Sequence, residues 1–515
     1  MHNKHKAPNE RHVAISILLE INQQGAYNNI ALRRTLDNYP QWQSYQRAFV
    51  TELVNGTLRN QILIDHIIES YSRKSARNKS APKMKPFIRE LLRTAIYQIQ
   101  WMDKVPPSAA VNEAVKLARS CGFEALSGFV NGILRNIVRG HESGTLPIPV
   151  PPSPVFSSSS TSSSSSSISP HSISPSSAPT PATPPKFSGD DTKVEALCDA
   201  NYNTKEYTRY LSLRYSFPLW LAEAIINWLG DKAEEFCAQS HIAPTVTVCI
   251  NPLKTTRDAL AESLKASGVE CVKSTLTEAC LHLKRTADLT ATDAYRQGHF
   301  FVMDEGAYLV AKALSAEPGQ KIIDLCAAPG GKSFACAGMM ENHGQIISCD
   351  IHPHKIRLMA DMASRLGIDC ITLEEKDASV INPAWEGWAD TVMLDAPCSG
   401  FGIVRRKPDI KYTKTLEDVR ALAAFQRTLL SVAATYVKPG GVLVYSTCTI
   451  TREENEDNIY WFLDNFPFAP DNFAFALDGS DDLNGLLSAE SAASFTLLPK
   501  DDHDGFFIAR MVRLL

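Results

Sequence analysis

Two of the twelve cysteines are set where they can act rather than fill space. Cys398 follows the apolar run DTVMLDA, in Asp395-Ala396-Pro397-Cys398-Ser399-Gly400, and Cys448 follows GVLVYST, in Ser446-Thr447-Cys448-Thr449. Free cysteines are usually inert core residues, and Cys336, Cys349 and Cys370 read that way. A thiol at the open end of a buried strand, among small and polar neighbours, reads as a nucleophile. A thiolate attacks well even when only a small fraction is ionised.

A second constellation points to a nucleoside ligand. Residues 321–326 form an apolar run that ends in Cys326, Ala327, Ala328, Pro329, Gly330, Gly331 and Lys332, and a helical pattern follows. A glycine turn between a strand and a helix lets a ligand approach the backbone closely. It fits neither a Walker A loop nor GxGxxG, so a phosphate cradle is disfavoured and a nucleoside without phosphates is favoured. Asp350 ends the next strand, roughly 20 residues on, where a carboxylate typically accepts from ribose hydroxyls. Asp377 ends a later polar turn and is expected to meet an adenine amino group. Each alone would be an ordinary surface carboxylate.

These residues need strands to carry them. KIIDLCA, QIISCD, DTVMLDA and GVLVYST are short apolar runs separated by helical patterns, which predicts a parallel sheet covered on both faces, a Rossmann-like domain over residues 301–515. Residues 193–300 mix helical stretches with the strand-like TVTVCIN and predict a small α+β module. Residues 144–192 collapse to Ser, Pro and Thr and predict a disordered tether that loosens the coupling between the helical domain and the catalytic part. Residues 1–143 predict an all-helical domain: Ala14, Ile17, Leu18 and Ile21 share one face, as do Ile88, Leu91, Leu92 and Ala95, and Val111, Ala114, Val115 and Ala118. Phe129, Val130, Ile133, Leu134 and Ile137 close the run.

Charge and composition narrow the class. The net charge is −4, yet residues 1–140 carry 20 Lys and Arg against 10 Asp and Glu, leaving 32 against 46 for the remainder. A basic front half suits a polyanion, and equally a solvated Lys-rich helical surface. No paired cysteine spacing or His/Cys cluster suggests disulfides or zinc, so the usage is that of a reduced cytoplasmic protein with no metal. No signal peptide or membrane span is expected. A monomer is the default.

The chemistry that would join a thiolate to such a cofactor is methylation of cytosine at carbon 5, itself a poor nucleophile. Sulfur adds to carbon 6, the resulting enamine takes a methyl group from a sulfonium, and a base removes the carbon 5 proton so that sulfur can leave. A carboxyl group beside the base's ring nitrogen and amino group offsets the charge, and Asp395 is placed for it. LCAAPGGKS, DAPCSGFGIVRRKPDIKY, STCTITREENE and DGFFIAR resemble the motifs of bacterial RNA cytosine-C5 methyltransferases, and within them the RsmB group (also called Sun or Fmu), which acts on 16S small-subunit rRNA. Residues 11–140, with AVNEAVKLAR and FVNGILRNI, are similar to that group's NusB-like N-terminal domain. The resemblance covers nearly the whole chain outside the Ser/Pro stretch.

The resemblance implies that Cys448 is the nucleophile and Cys398 assists product release, and that Cys326 to Lys332, Asp350, Asp377 and Asp395 line the pocket for S-adenosylmethionine and the base. Two cysteines rather than the first alone imply RNA, not DNA, as substrate. Arg405, Arg406, Lys407 and Lys411, just after Cys398, are expected to contact RNA phosphates. Cys249 stands where the family commonly has Arg, and Met303 near where it has Gln, which implies one weakened RNA contact. A tRNA or DNA methyltransferase and a non-enzymatic RNA-binding or antitermination protein are the rivals.

Overall fold

The chain is described here from a computed structural model, which covers residues 9–75, 84–152, 204–284, 288–471 and 494–515. Most of the Ser/Pro-rich stretch expected to be a tether, residues 153–192, lies outside these. The N-terminal part is helical: α1 (Glu10–Gln24), α2 (Asn28–Asp37), α3 (Ser44–Arg59), α4 (Gln61–Ser75), α5 (Pro86–Trp101), α6 (Pro107–Ser120) and α7 (Ser127–Glu142). Local chemistry sets its limits. Asn9 caps α1 by accepting from the backbone of Arg11 and His12, and Gly25 ends it in the left-handed region. The periodic residues of α1, α5 and α6 are buried in one core with Val130, Ile133, Leu134 and Ile137, apart from half-buried Val115. Phe129, grouped with that last stripe in the sequence, instead faces outward, 38% exposed.

Helices α8 (Thr204–Arg214), α9 (Leu219–Leu229) and α10 (Ala233–Gln239) follow. They bury Leu211, Phe217, Leu221, Ile225 and Phe236 against Phe401, Val404, Ile410, Val419 and Ile450, so they belong by packing to the loops that carry the two cysteines. Next come β1 (Val246–Ile250), α11 (Arg257–Ala266), β2 (Cys271–Lys273), β3 (Cys280–Leu283), α12 (Asp293–Arg296) and β4 (Phe300–Val302). They form an antiparallel sheet in the order β2-β3-β1-β4, a ferredoxin-like β-α-β-β-α-β unit. The small module therefore runs through Val302 rather than closing at residue 300. Cys249 pairs across this sheet with Cys280, their sulfurs 3.3 Å apart and buried.

The remainder is α13 (Glu305–Ala313), β5 (Lys321–Asp324), α14 (Gly331–Met339), β6 (Gln345–Asp350), α15 (Pro353–Leu366), β7 (Ile371–Glu375), β8 (Ala389–Asp395), α16 (Ile410–Thr413), α17 (Leu416–Tyr436), β9 (Val437–Thr447), α18 (Glu456–Asn465), β10 (Phe468–Pro470), β11 (Ser494–Leu497) and β12 (Phe506–Arg513). Strands β7, β6, β5, β8 and β9 lie side by side and parallel, and antiparallel β12 extends the sheet beyond β9. Alternation along each strand feeds both faces: Ile322, Ile346, Met393 and Val444 enter one core, and Ile323, Ile347, Leu394 and Tyr445 the other. The expected doubly wound domain is thus present. Its strand order reverses between β5 and β8, and the crevice at such a switch point is where open α/β sheets bind ligands.

Segment 405–412 changes the expected picture of how the parts meet. Lys411 is fully buried and donates to the carbonyls of Arg59 (3.0 Å) and Tyr215 (3.3 Å). Tyr412 donates to the carbonyls of Leu58 (2.8 Å) and Ser216 (3.1 Å), and the Asp409 carboxylate accepts from the Asn28 backbone at 3.0 Å. The helical domain is therefore tied to the catalytic part by buried hydrogen bonds, whatever the length of chain between them, and the expected loosening does not follow. Tyr412→Phe removes the one hydroxyl proton that the Leu58 and Ser216 carbonyls share. It should destabilise the protein by about 1–3 kcal/mol in urea unfolding, with faster amide exchange at the end of α3. Unchanged stability would show that these bonds hold nothing together.

Candidate active site

The turn after β5 opens the crevice. Gly330 has φ +101°, and a Cβ there would lie 2.4 Å from the Phe334 ring, so both the backbone conformation and the space demand glycine. The bond before Pro329 is cis. Ala327 N–H donates to the carbonyl of Cys349 at 2.8 Å, which ties the turn to the end of β6. There Asp350 is buried, with one oxygen accepting from His352 N–H (2.9 Å) and the other from Lys355 (3.3 Å). Cys326 feels the charges of Asp324, Asp350 and Asp395, and its burial holds the thiol high and protonated. Asp377 stands apart: it is exposed, and its carboxylate is taken by the backbone and hydroxyl of Ser379.

At the ends of β8 and β9 the two halves of the site meet. The Asp395 carboxylate accepts from Lys332 Nζ and from Ser446 Oγ, each at 2.7 Å. Burial works against the Lys332 ammonium, but Asp395 and Asp324 outweigh it and hold its pKa above the ordinary lysine value. Cys398 Sγ and Cys448 Sγ are 3.2 Å apart, both half-buried, and Cys448 N–H points at Cys398 Sγ from 3.3 Å. The neighbouring Cys448 sulfur and burial together push the Cys398 thiol far up, so it stays protonated. Lys332, Asp395, Cys398 and Cys448, distant in sequence, share one corner.

Sequence reasoning missed the groups that hold this corner. Glu454 is buried and its carboxylate accepts from the backbone N–H of Ser399 (2.9 Å), from the Ser399 hydroxyl, from Gln426 (2.9 Å) and from Thr451 (2.8 Å). Ser399 follows one cysteine and Thr451 lies just beyond the other, so one carboxylate clamps both loops. Asn455 adds a second clasp, accepting from Thr447 (2.6 Å) and donating to the carbonyl of Thr449 (3.1 Å). Both sit in the quoted STCTITREENE, where an acid and an amide after a cysteine were the available signal. Asp324, at the end of β5, is buried and accepts from Ser333 at 2.6 Å, and burial lifts its carboxyl to about 7.

The basic segment after Cys398 departs from expectation. Arg405 is fully buried, paired with Asp504 at 2.6 Å and donating to the Lys500 carbonyl at 2.6 Å. Arg406 lies between Asp504 and Asp304, and Lys411 is in the domain interface. Arg405 and Lys411 are therefore structural, because both side chains are buried inside the protein, out of reach of a phosphate. Arg406 is committed to two carboxylates. Lys407 alone of the four is exposed.

A glycine turn at a switch point, an acid at the end of the next strand and two close sulfurs at the crevice are the setting, and the comparisons give the class, an S-adenosylmethionine-dependent methyltransferase. Residues 311–512 match the family described as 16S rRNA methyltransferase RsmB/F, residues 8–139 the NusB family, and residues 217–290 the RsmF/B-like ferredoxin-like domain. A probable ribosomal RNA small subunit methyltransferase B of Bacillus subtilis is 33% identical over 90% of this chain and 91% of its own. The crystal structure of PH0851 superposes over 99% of this chain and all of its own, with TM-score 0.69 at 23% identity. A methyltransferase homolog protein from Pyrococcus horikoshii covers 60% of this chain and 99% of its own, with TM-score 0.51 at 26% identity. The chain belongs to the RsmB/F family of 16S rRNA methyltransferases. Its Gly330 turn and the Asp350 carboxylate fit a nucleoside cofactor such as S-adenosylmethionine. Among the described residues no helix is long and apolar enough to cross a membrane.

Two measurements check this account. Glu454→Gln puts an amide group against Ser399 and Gln426, which already donate, and should cost about 2–4 kcal/mol of stability and at least tenfold in methyl transfer. Activity unchanged in a folded Glu454→Gln protein would remove the clamp from the explanation. Asp324 titrates near 7 when folded against about 3.9 unfolded. Its raised value favours the native state most below pH 4, and that contribution is lost as pH rises towards 7. Asp324→Asn keeps an acceptor for Ser333 without the charge, so its stability relative to wild type should improve from pH 4 to pH 8, by at most on the order of 4 kcal/mol. A pH-independent difference would contradict the raised pKa.

Proposed function

We propose that this enzyme methylates carbon 5 of a specific cytosine in 16S rRNA of the small ribosomal subunit, through a covalent adduct between Cys448 and the base. The observation that carries the reading is the pair of sulfurs 3.2 Å apart at the crevice, with the Asp395–Lys332 pair in the same corner. Cys448 adds to carbon 6, and carbon 5 takes the methyl group that S-adenosylmethionine supplies. Loss of the carbon 5 proton then lets the sulfur leave. That proton needs an acceptor: once Cys448 is bonded to carbon 6 it no longer raises the Cys398 pKa, and the Cys398 thiolate takes the proton and so assists release. Asp395 accepts from the base's amino group, with Lys332 balancing its charge.

Residues 326–332 and Asp350 take the cofactor. Asp377 is the weakest member of the proposed set, since its carboxylate is already engaged by Ser379. The family and the relative's name support rRNA as substrate, and the reading places the enzyme in the cytoplasm, as a monomer, on RNA rather than DNA. The target cytosine has to be unpaired or flipped out of its helix to reach a half-buried sulfur. Lys407 and the basic N-terminal domain are the proposed phosphate contacts.

The experiment is transfer of labelled methyl to purified small-subunit rRNA, with tRNA and single-stranded DNA as controls, using wild type, Cys448→Ala and Cys398→Ala, and with protein–RNA adducts resolved on a denaturing gel. Activity should fall at least a hundredfold in both variants, and an adduct should accumulate only in Cys398→Ala. Full activity in Cys448→Ala, or adducts in it and not in Cys398→Ala, would exchange the roles of the two cysteines.

A further inference from the structure

Away from the crevice, three segments distant in sequence bring ligand-type side chains to one point. His282 is on β3, Glu305 is the first residue of α13, and Asp502 is in the turn between β11 and β12. His282 Nε2 lies 3.1 Å from Glu305 Oε2 and 3.5 Å from Asp502 Oδ2, and the three donor atoms all fall within 4.8 Å of one another. Four ligands at 2.0–2.1 Å from a tetrahedral zinc ion stand about 3.3 Å apart. The two measured spacings bracket that edge.

The surroundings orient these atoms inward. His282 Nδ1 is 3.1 Å from the hydroxyl of Thr247, its direct partner on β1. With the proton on Nδ1 and Thr247 accepting it, the Nε2 lone pair is left facing the two carboxylates. Glu305 is completely buried. Its Oε1 accepts from Thr277 at 2.7 Å and from Ser274. Its Oε2, like His282 Nε2, makes no aligned hydrogen bond. A fully buried carboxylate oxygen in this position is costly without a positive partner, which either a proton on His282, 3.1 Å away, or a bound metal cation would supply. Asp502 is 38% exposed at the side chain, so the fourth side of the cluster opens to water.

We propose that His282, Glu305 and Asp502 bind a divalent transition-metal ion, of which zinc fits the spacing, with water as the fourth ligand, and that this ion staples the ferredoxin-like sheet to the β11–β12 turn of the methyltransferase domain. One imidazole and two carboxylates suit such an ion better than calcium or magnesium, which prefer all-oxygen sites. Any proton on His282 leaves to solvent as the metal enters. Short-range cysteine and histidine spacing could not reveal the site, because its ligands come from three separate elements.

The test uses the full chain stripped with a chelator and titrated with zinc chloride, reading bound metal by equilibrium dialysis and thermal midpoint by calorimetry. One zinc per chain should bind and raise the midpoint by several degrees. Asp502→Asn, in an exposed turn and expected to fold, and His282→Gln should each weaken binding at least tenfold and abolish the shift. The Cys398→Ser/Cys448→Ser double variant, which removes the sulfur pair at the crevice, should bind as wild type does. No zinc on the wild type, undiminished binding by Asp502→Asn, or loss of zinc only in the cysteine variant would each overturn the proposal. The first outcome would leave the trio as an ion pair.

Discussion

Two sulfurs on different loops stay within 3.2 Å of each other only if neither loop can move without the other. The Glu454 carboxylate imposes that constraint, since it gathers donors from the residue after Cys398, from Thr451 beyond Cys448 and from Gln426 on α17. Each donor is buried, so water cannot replace the carboxylate at low cost. Everything else at the crevice is arranged around the ends of β8 and β9 that this group holds. Asp395 takes its orientation from Ser446 on the neighbouring strand, and Lys332 reaches across from the glycine turn to meet it.

The same economy appears between the parts of the molecule. The chain leaving Cys398 runs through a basic segment whose charges are spent inward, Arg405 and Arg406 on Asp504, and Lys411 on two carbonyls. Burial and the nearby Arg59 charge press the Lys411 pKa far below its ordinary value. Helices α8 to α10 pack over the other side of this segment. The stretch that leads away from Cys398 is therefore the core of a three-way junction. Of the four cations in this stretch, Lys407 alone is left at the surface.

What could be read from the sequence was whatever depends on local period and local chemistry. The strand ends at Asp350, Asp395, Cys398 and Cys448 follow from apolar runs that stop at polar residues, and Gly330 follows from a turn that tolerates no Cβ. Burial of charge could not be read this way. RRKPDIK looks identical whether its cations face phosphate or sit against Asp504, and Asp504 lies 99 residues from Arg405. Asp377 shows the same limit in reverse, since a carboxylate at the right spacing turned out to close a turn with Ser379. Phe129 continued a helical stripe in sequence, yet the turn of α7 carries it outward. Glu454 was in plain view in a motif, but its role depends on Ser399, 55 residues earlier.

Gly402 is where this dependence on distant partners becomes temporal. Its N–H donates to the Cys448 carbonyl at 2.9 Å, its own carbonyl accepts from Gly505 N–H at 3.0 Å, and a Cβ there would strike both backbones. Three strands of chain thus cross at one atom's width, and the last of them is made long after the first. During synthesis the two cysteine loops can form their mutual contacts, but their outer wall is missing until residue 505 has left the ribosome. Until then Arg405 and Arg406 also lack Asp504, their shared counter-ion. A nascent chain arrested before that point carries both sulfurs on an unsupported corner, with Arg405 lacking its carboxylate and Arg406 left with Asp304 alone. The order of translation therefore leaves the corner that holds the two sulfurs without its outer wall until Asp504 and Gly505 have been made.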